Sequence, residues 1–109
     1  MTRDDQRRLL DILECANDLS QISQMSLEDF LSNKLAQRAA ERLLEIIGEA
    51  ANSLGEDFKS RHENIAWQRV VGLRHLLAHH YHRVDPHQIW HVLNFQVPTL
   101  IETLQDDVR

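Results

Sequence analysis

The chain has 109 residues, a formal net charge of -5 and a single cysteine. That length suffices for one apolar core but not two. The lone Cys15 excludes an internal disulfide framework, and the acidic balance argues against a general polyanion binder, whose affinity comes mostly from Lys and Arg neutralising phosphates. Charges or amides interrupt every apolar run well before the ~20 residues needed to span a bilayer. No basic N-terminal stretch leads into an apolar run and a cleavage site, so a cytoplasmic protein without a membrane partner is expected.

In chain order, Leu9, Ile12, Leu13, Ala16, Leu19 and Ile22 recur at three- and four-residue steps, which predicts an amphipathic helix from Thr2 to Gln24 with Thr2 as its N-cap. Ser26 with Asp29 three residues on predicts a short turn, Leu27 to Leu31. A long helix follows, with an expected stripe of Leu35, Ala39, Leu43, Ile46, Ile47, Ala50 and Leu54, and Gly55 as a left-handed terminator. Glu45 and Glu49 are set four apart, with Arg38 and Arg42 ahead of them at helical spacing, so a salt-bridged face is favoured over acid-base work.

A brief helical turn, Glu56 to Arg61, should precede a third main helix from Ala66 to Ala78, with His79 at its end. Asp85 and Pro86 read as N-cap and first turn of a last helix running past Leu104 and kinked by Pro98. No linker, repeat or β-alternation competes. The expectation is one all-α domain over residues 1–109: an antiparallel bundle of four main helices with short helical turns. Trp67 and Trp90 lie on apolar stripes and are expected in the core, and Cys15 is expected to be a buried thiol.

The stretch Arg74-His75-Leu76-Leu77-Ala78-His79-His80-Tyr81 joins a permanent cation, groups that titrate near neutrality and a phenol. Arginine presents a planar fork of donors matched to phosphate oxygens, and histidine can take up and return a proton at cellular pH. That pair could cleave RNA without a metal: His79 transfers protons and Arg74 holds the scissile phosphate as charge develops. On an ideal helix a five-residue separation leaves the two side chains ~140° apart, so helix termination near His79, or a second subunit, is needed to bring them together. Between Arg69 and His91 the only acid is Asp85, which predicts a locally cationic cleft in an acidic body. The pairs His75 and His79, and His87 and His91, have metal-ligand spacing, but no carboxylate or cysteine completes a set. No functional metal and no cofactor are expected.

An arginine, four residues, a histidine, one residue and a tyrosine resembles the signature of the HEPN superfamily, and specifically of HepT-like toxins. Leu44-Glu45-Ile46-Ile47-Gly48-Glu49-Ala50-Ala51, Ile65-Ala66-Trp67 and the run from Val84-Asp85-Pro86 to Trp90 also resemble that family, in the same order. The resemblance implies a helical bundle and a two-fold homodimer whose paired motifs line one cleft. It also implies a metal-independent endoribonuclease toxin acting on RNA, with Arg74 and His79 catalytic. Tyr81 matches the tyrosine that accepts AMP from a cognate MntA-like nucleotidyltransferase antitoxin. His75, His80, Arg83 and Glu49 are candidate supporting residues, Glu49 by orienting the arginine. One departure stands out, because the family usually carries Asn or Asp where this chain has His75. That favours a second reading, a noncatalytic helical dimer that binds a nucleotidyltransferase.

Overall fold

A computed structural model of the chain describes residues 2–79 and 84–108, the side chains of residues 78, 79 and 108 excepted. The fold is all-α. Helix α1 (Arg3–Ile22) is followed by the short α2 (Leu27–Leu31), the long α3 (Lys34–Ser53), the short α4 (Glu56–Ser60) and α5 (Trp67–His79). The last arm comprises α6 (Pro86–His91), a π-helical segment (Val92–Gln96), α7 (Val97–Leu104) and a closing 3₁₀ turn (Gln105–Val108).

Local chemistry sets the helix starts. The Thr2 hydroxyl accepts from the Asp5 N–H at 3.0 Å, Ser26 does the same for Asp29 at 3.0 Å, and the Asp85 carboxylate accepts from the His87 N–H at 2.9 Å. Each satisfies one of the orphan donors of a first turn. Pro86 follows Asp85 at the start of α6, where its missing N–H costs nothing.

Helix α1 buries Leu9, Ile12, Leu13, Cys15, Ala16 and Leu19, in the phase the sequence predicts. It packs between α3 and α7, and α3 in turn carries α5 on its other side. The turn α2 wedges Phe30 inward against Trp90 of α6, with ring centroids 5.5 Å apart. Both tryptophans, expected in the core, are half-buried and packed against its edge.

Helix α3 departs from expectation in its first half only. Leu35 is 84% exposed and Ala39 is exposed, while Gln37 and Ala40 face inward; further along, Ile47, Ala50 and Leu54 are buried as expected, joined by Leu44, Gly48 and Ala51. Gln37 explains the discrepancy. Its side-chain amide donates to the carbonyls of Phe30 (2.9 Å) and Leu31 (3.0 Å), closing the end of α2, so a residue that looks like a solvent position is buried.

Gly55 corrects a second expectation. Its φ of -67° and ψ of 152° are extended, not left-handed, and it serves as the N-cap of α4. Helix α3 instead ends on Leu54, and the Gly55 N–H donates to the Asp5 carboxylate at 3.0 Å, tying the α3–α4 turn to the first turn of α1. A Cβ on Gly55 would lie 3.3 Å from that carboxylate, so proximity rather than handedness favours glycine there.

The last helix is not one α-helix bent at Pro98. The chain passes into π geometry, with the Val97 N–H on the Val92 carbonyl, and α7 restarts with Pro98 in its first turn. Proline cannot donate to the carbonyl four residues back, and an extra residue in the turn ahead of it is one way a helix accommodates that loss. The Asn94 amide donates to the Trp90 carbonyl at 2.9 Å within the same stretch.

Candidate functional site

Helix α5 carries the first part of the motif. Its start is anchored by Trp67, whose indole N–H donates to the carbonyls of Lys59 (3.1 Å) and His62 (3.1 Å) while its ring meets the buried Phe58 edge-on at 6.3 Å. The connection ahead of it is tied to the C-terminal turn by the His62 imidazole and the Asp107 carboxylate, 3.0 Å apart. Beyond that anchor α5 lies chiefly on α3. Its apolar side chains are spread around the helix: Leu77 is buried, whereas Val70, Val71, Leu73 and Leu76 are only half-buried.

The crossing of α3 and α5 is unusually close. At Gly48, a Cβ would meet the Arg74 Cβ at 2.8 Å, the Arg74 backbone nitrogen at 2.9 Å and the Val70 carbonyl oxygen at 2.9 Å. Gly48 stands in the family-like stretch Leu44 to Ala51, and its role is not apparent from the motif itself. The available signal was a glycine inside a strongly helical, apolar run, which implies close approach of another backbone.

Arg74 and His75 are exposed on α5 and line a groove of about 780 Å³ between that helix and α3–α4. The Arg74 guanidinium makes no ion pair or hydrogen bond among the described residues. The described part of α5 runs as far as His79. His80, Tyr81 and Arg83, expected to supply the AMP acceptor and supporting contacts, lie outside the described residues. So does the geometry between Arg74 and the His79 imidazole.

Among the described residues, the groove beside Arg74 is not cationic. The groove is lined by Glu45, Glu49, Glu56 and Glu63 against Arg74 and Lys59, so four formal negative charges face two positive ones. The acids come from α3, α4 and the following turn, brought opposite α5 by the fold although the motif's own segment is nearly free of them. Glu45 is partly neutralised by Arg42 at 3.2 Å, as the helical spacing predicts, whereas Arg38 pairs with Glu41 at 3.1 Å rather than with Glu45. Glu49 is exposed in the groove beside Arg74.

A second hollow of about 210 Å³ lies on the other flank of α5, toward the π segment and α7. It is apolar, bordered by Val70, Leu73, Val92 and Leu100, with Phe95 65% exposed at its edge. Leu73 immediately precedes Arg74, so the apolar hollow and the charged groove sit back to back across the motif helix.

A family model described as Ribonuclease HepT-like matches residues 12–106. The chain belongs to the HepT-like ribonuclease family. It is 37% identical over 99 residues to a Methanocaldococcus jannaschii protein named "Putative RNase MJ1380", covering 90% of this chain and 91% of that one. Over 111 residues it is 34% identical to "Putative RNase MJ0127" of the same organism, covering all of this chain and 92% of the relative. "Probable ribonuclease HepT" of Thermococcus cleftensis is 36% identical over 101 residues, 92% of each chain. Within this HepT-like fold Cys15 is a buried free thiol. Burial, and then the carboxylates of Asp18, Glu14 and Asp11 on its own helix, push that thiol up from its ordinary range, the opposite of an activated nucleophile. No described helix is long and apolar enough to cross a membrane.

Proposed function

We propose that the chain is a single HepT-like domain over residues 1–109 that acts as the toxin of a toxin-antitoxin pair in the cytoplasm, a metal-independent endoribonuclease working through Arg74 and His79. The observation that carries this reading is Arg74, exposed on α5 with no ion pair among the described residues, on the same helix as His79. A guanidinium without such a partner can donate to phosphate oxygens, and the ~140° separation of the two side chains on a regular helix requires a helix end or a second subunit to bring them together.

In this mechanism the His79 imidazole takes the proton of a ribose 2′-hydroxyl as its oxygen attacks the adjacent phosphorus. The bond from phosphorus to the 5′-oxygen breaks, and the leaving oxygen regains a proton from an acid. Arg74 stabilises the charge that grows on the non-bridging oxygens. His75, His80, Arg83 and Glu49 are supporting residues. The carboxylates along the groove repel a polyanion, so the RNA backbone reaches Arg74 from the far end of α5 rather than along α4.

The site is completed in a two-fold homodimer. The half-buried Val70 and Leu73, with the exposed Phe95, provide apolar surface next to the motif. A cognate MntA-like nucleotidyltransferase neutralises the toxin by forming a complex with it and by AMP transfer: the Tyr81 phenol oxygen attacks the α-phosphorus of ATP and pyrophosphate leaves. Each AMP adds about one negative charge beside Arg74 and competes with substrate phosphate. Co-expression tests this arm. Growth arrest on induction should vanish in Arg74→Ala, and intact-mass spectra with the active antitoxin should show AMP on Tyr81. AMP on another residue, or an unmodified and yet neutralised chain, removes Tyr81 from the mechanism.

A second reading keeps the helical dimer as a noncatalytic module that binds the nucleotidyltransferase. Two observations favour it: the four carboxylates around the groove, and His75 where the family usually carries Asn or Asp.

A further inference from the structure

Glycine weakens a helix interior and is retained there only where conformation or space requires it. Gly48 sits in the middle of α3, is buried, and has no positive φ, so conformation does not require it. Space does. Of the three atoms within 3 Å of its missing Cβ, two belong to the backbone of α5, the Arg74 nitrogen and the Val70 carbonyl oxygen, and the third is the Arg74 Cβ. No side-chain rotation relieves such contacts. Gly72 on α5 is the contrasting case, with nothing within 4 Å of a Cβ built there.

We propose that Gly48 is the positioning residue for Arg74: by lacking a side chain it lets α3 seat the α5 backbone, and this sets where the guanidinium stands relative to Glu45 and Glu49. The inference rests on the ribonuclease reading for its functional consequence, although the seating itself is a property of the fold. A methyl at position 48 has to be moved from 2.8 Å to an ordinary contact of 3.4 Å or more, so α5 shifts outward by at least 0.6 Å at Arg74. Trp67 pins the start of the helix, so the displacement grows with distance from that anchor and carries Arg74 with it. Misplacement of a catalytic group by ~1 Å costs on the order of a hundred-fold in rate.

The test is Gly48→Ala, with Ile12→Val in α1 as a core-destabilised control. Gly48→Ala is expected to fold, to move the backbone amide NMR resonances of residues 70–74 while those of α1 stay in place, and to lose about a hundred-fold in kcat for RNA cleavage with KM changed by less than about threefold. Ile12→Val should keep its kcat per folded molecule. Full kcat in folded Gly48→Ala overturns the proposal. A loss no larger than the fall in folded fraction does the same. Failure to fold even at 4 °C with trimethylamine N-oxide, which favours the compact state, assigns Gly48 to folding alone and also overturns it. If the unaltered protein cleaves no RNA, the ribonuclease reading falls separately, and the seating is then judged by the amide displacement alone.

Discussion

Gln37 shows how one polar residue can decide the phase of a helix's first half. By sequence it belongs to the solvent face, yet its amide closes the α2 carbonyls of Phe30 and Leu31 from a buried position. Gln37→Ala should destabilise the fold by about 0.5–1.5 kcal/mol, the net worth of a hydrogen bond, because the Phe30 carbonyl still accepts from the Asn33 N–H. Urea unfolding would show this as a lower midpoint at unchanged slope, and an unaltered midpoint would contradict it. Cys15 makes a second prediction at this scale. Its folded thiol is raised above the ordinary value of ~8.5 by burial and by the carboxylates of α1. The protonated form is therefore favoured in the native state: the contribution is fully present below the ordinary thiol pKa and is lost as pH rises through the folded value. Melting temperatures taken from pH 7 to 10 should fall more steeply for the unaltered protein than for Cys15→Ala. Parallel curves would refute the assignment.

At the scale of elements, what was legible in the sequence is what local chemistry decides. The caps Thr2, Ser26 and Asp85 and the α1 stripe act within a few residues of themselves, and each stands where the spacing placed it. The exposed Leu35, the extended Gly55 and the π segment ahead of Pro98 were not legible, because each depends on a partner far away in the chain or on how a backbone absorbs a missing donor. Asp5 lies fifty residues from Gly55. The same distinction applies to the site. The motif itself is contiguous and could be read directly. Its setting could not, because Gly48, Glu45 and Glu49 come to Arg74 only through the α3–α5 crossing.

For the whole molecule, the fold places acids beside the motif among the described residues. A motif segment with a single acid, Asp85, is set against carboxylates from α3 and α4, so the described surface around Arg74 is not a ready-made RNA track. A second subunit that adds its own motif would supply the missing positive charge, which is why the dimer is central to the proposed function. Sedimentation equilibrium at micromolar concentration should give twice the 12.8 kDa chain mass, and Phe95→Asp should shift the protein toward monomer. A monomer in the unaltered protein would count against a shared site. The central claim, that a homodimer of this chain cleaves RNA through Arg74 and His79 without a metal, is tested most directly by incubating purified protein with RNA in excess EDTA. Cleavage should persist in EDTA and disappear in both Arg74→Ala and His79→Ala, with the helical circular dichroism spectrum unchanged. Cleavage that returns only on addition of zinc or manganese, or that survives either substitution, would contradict it.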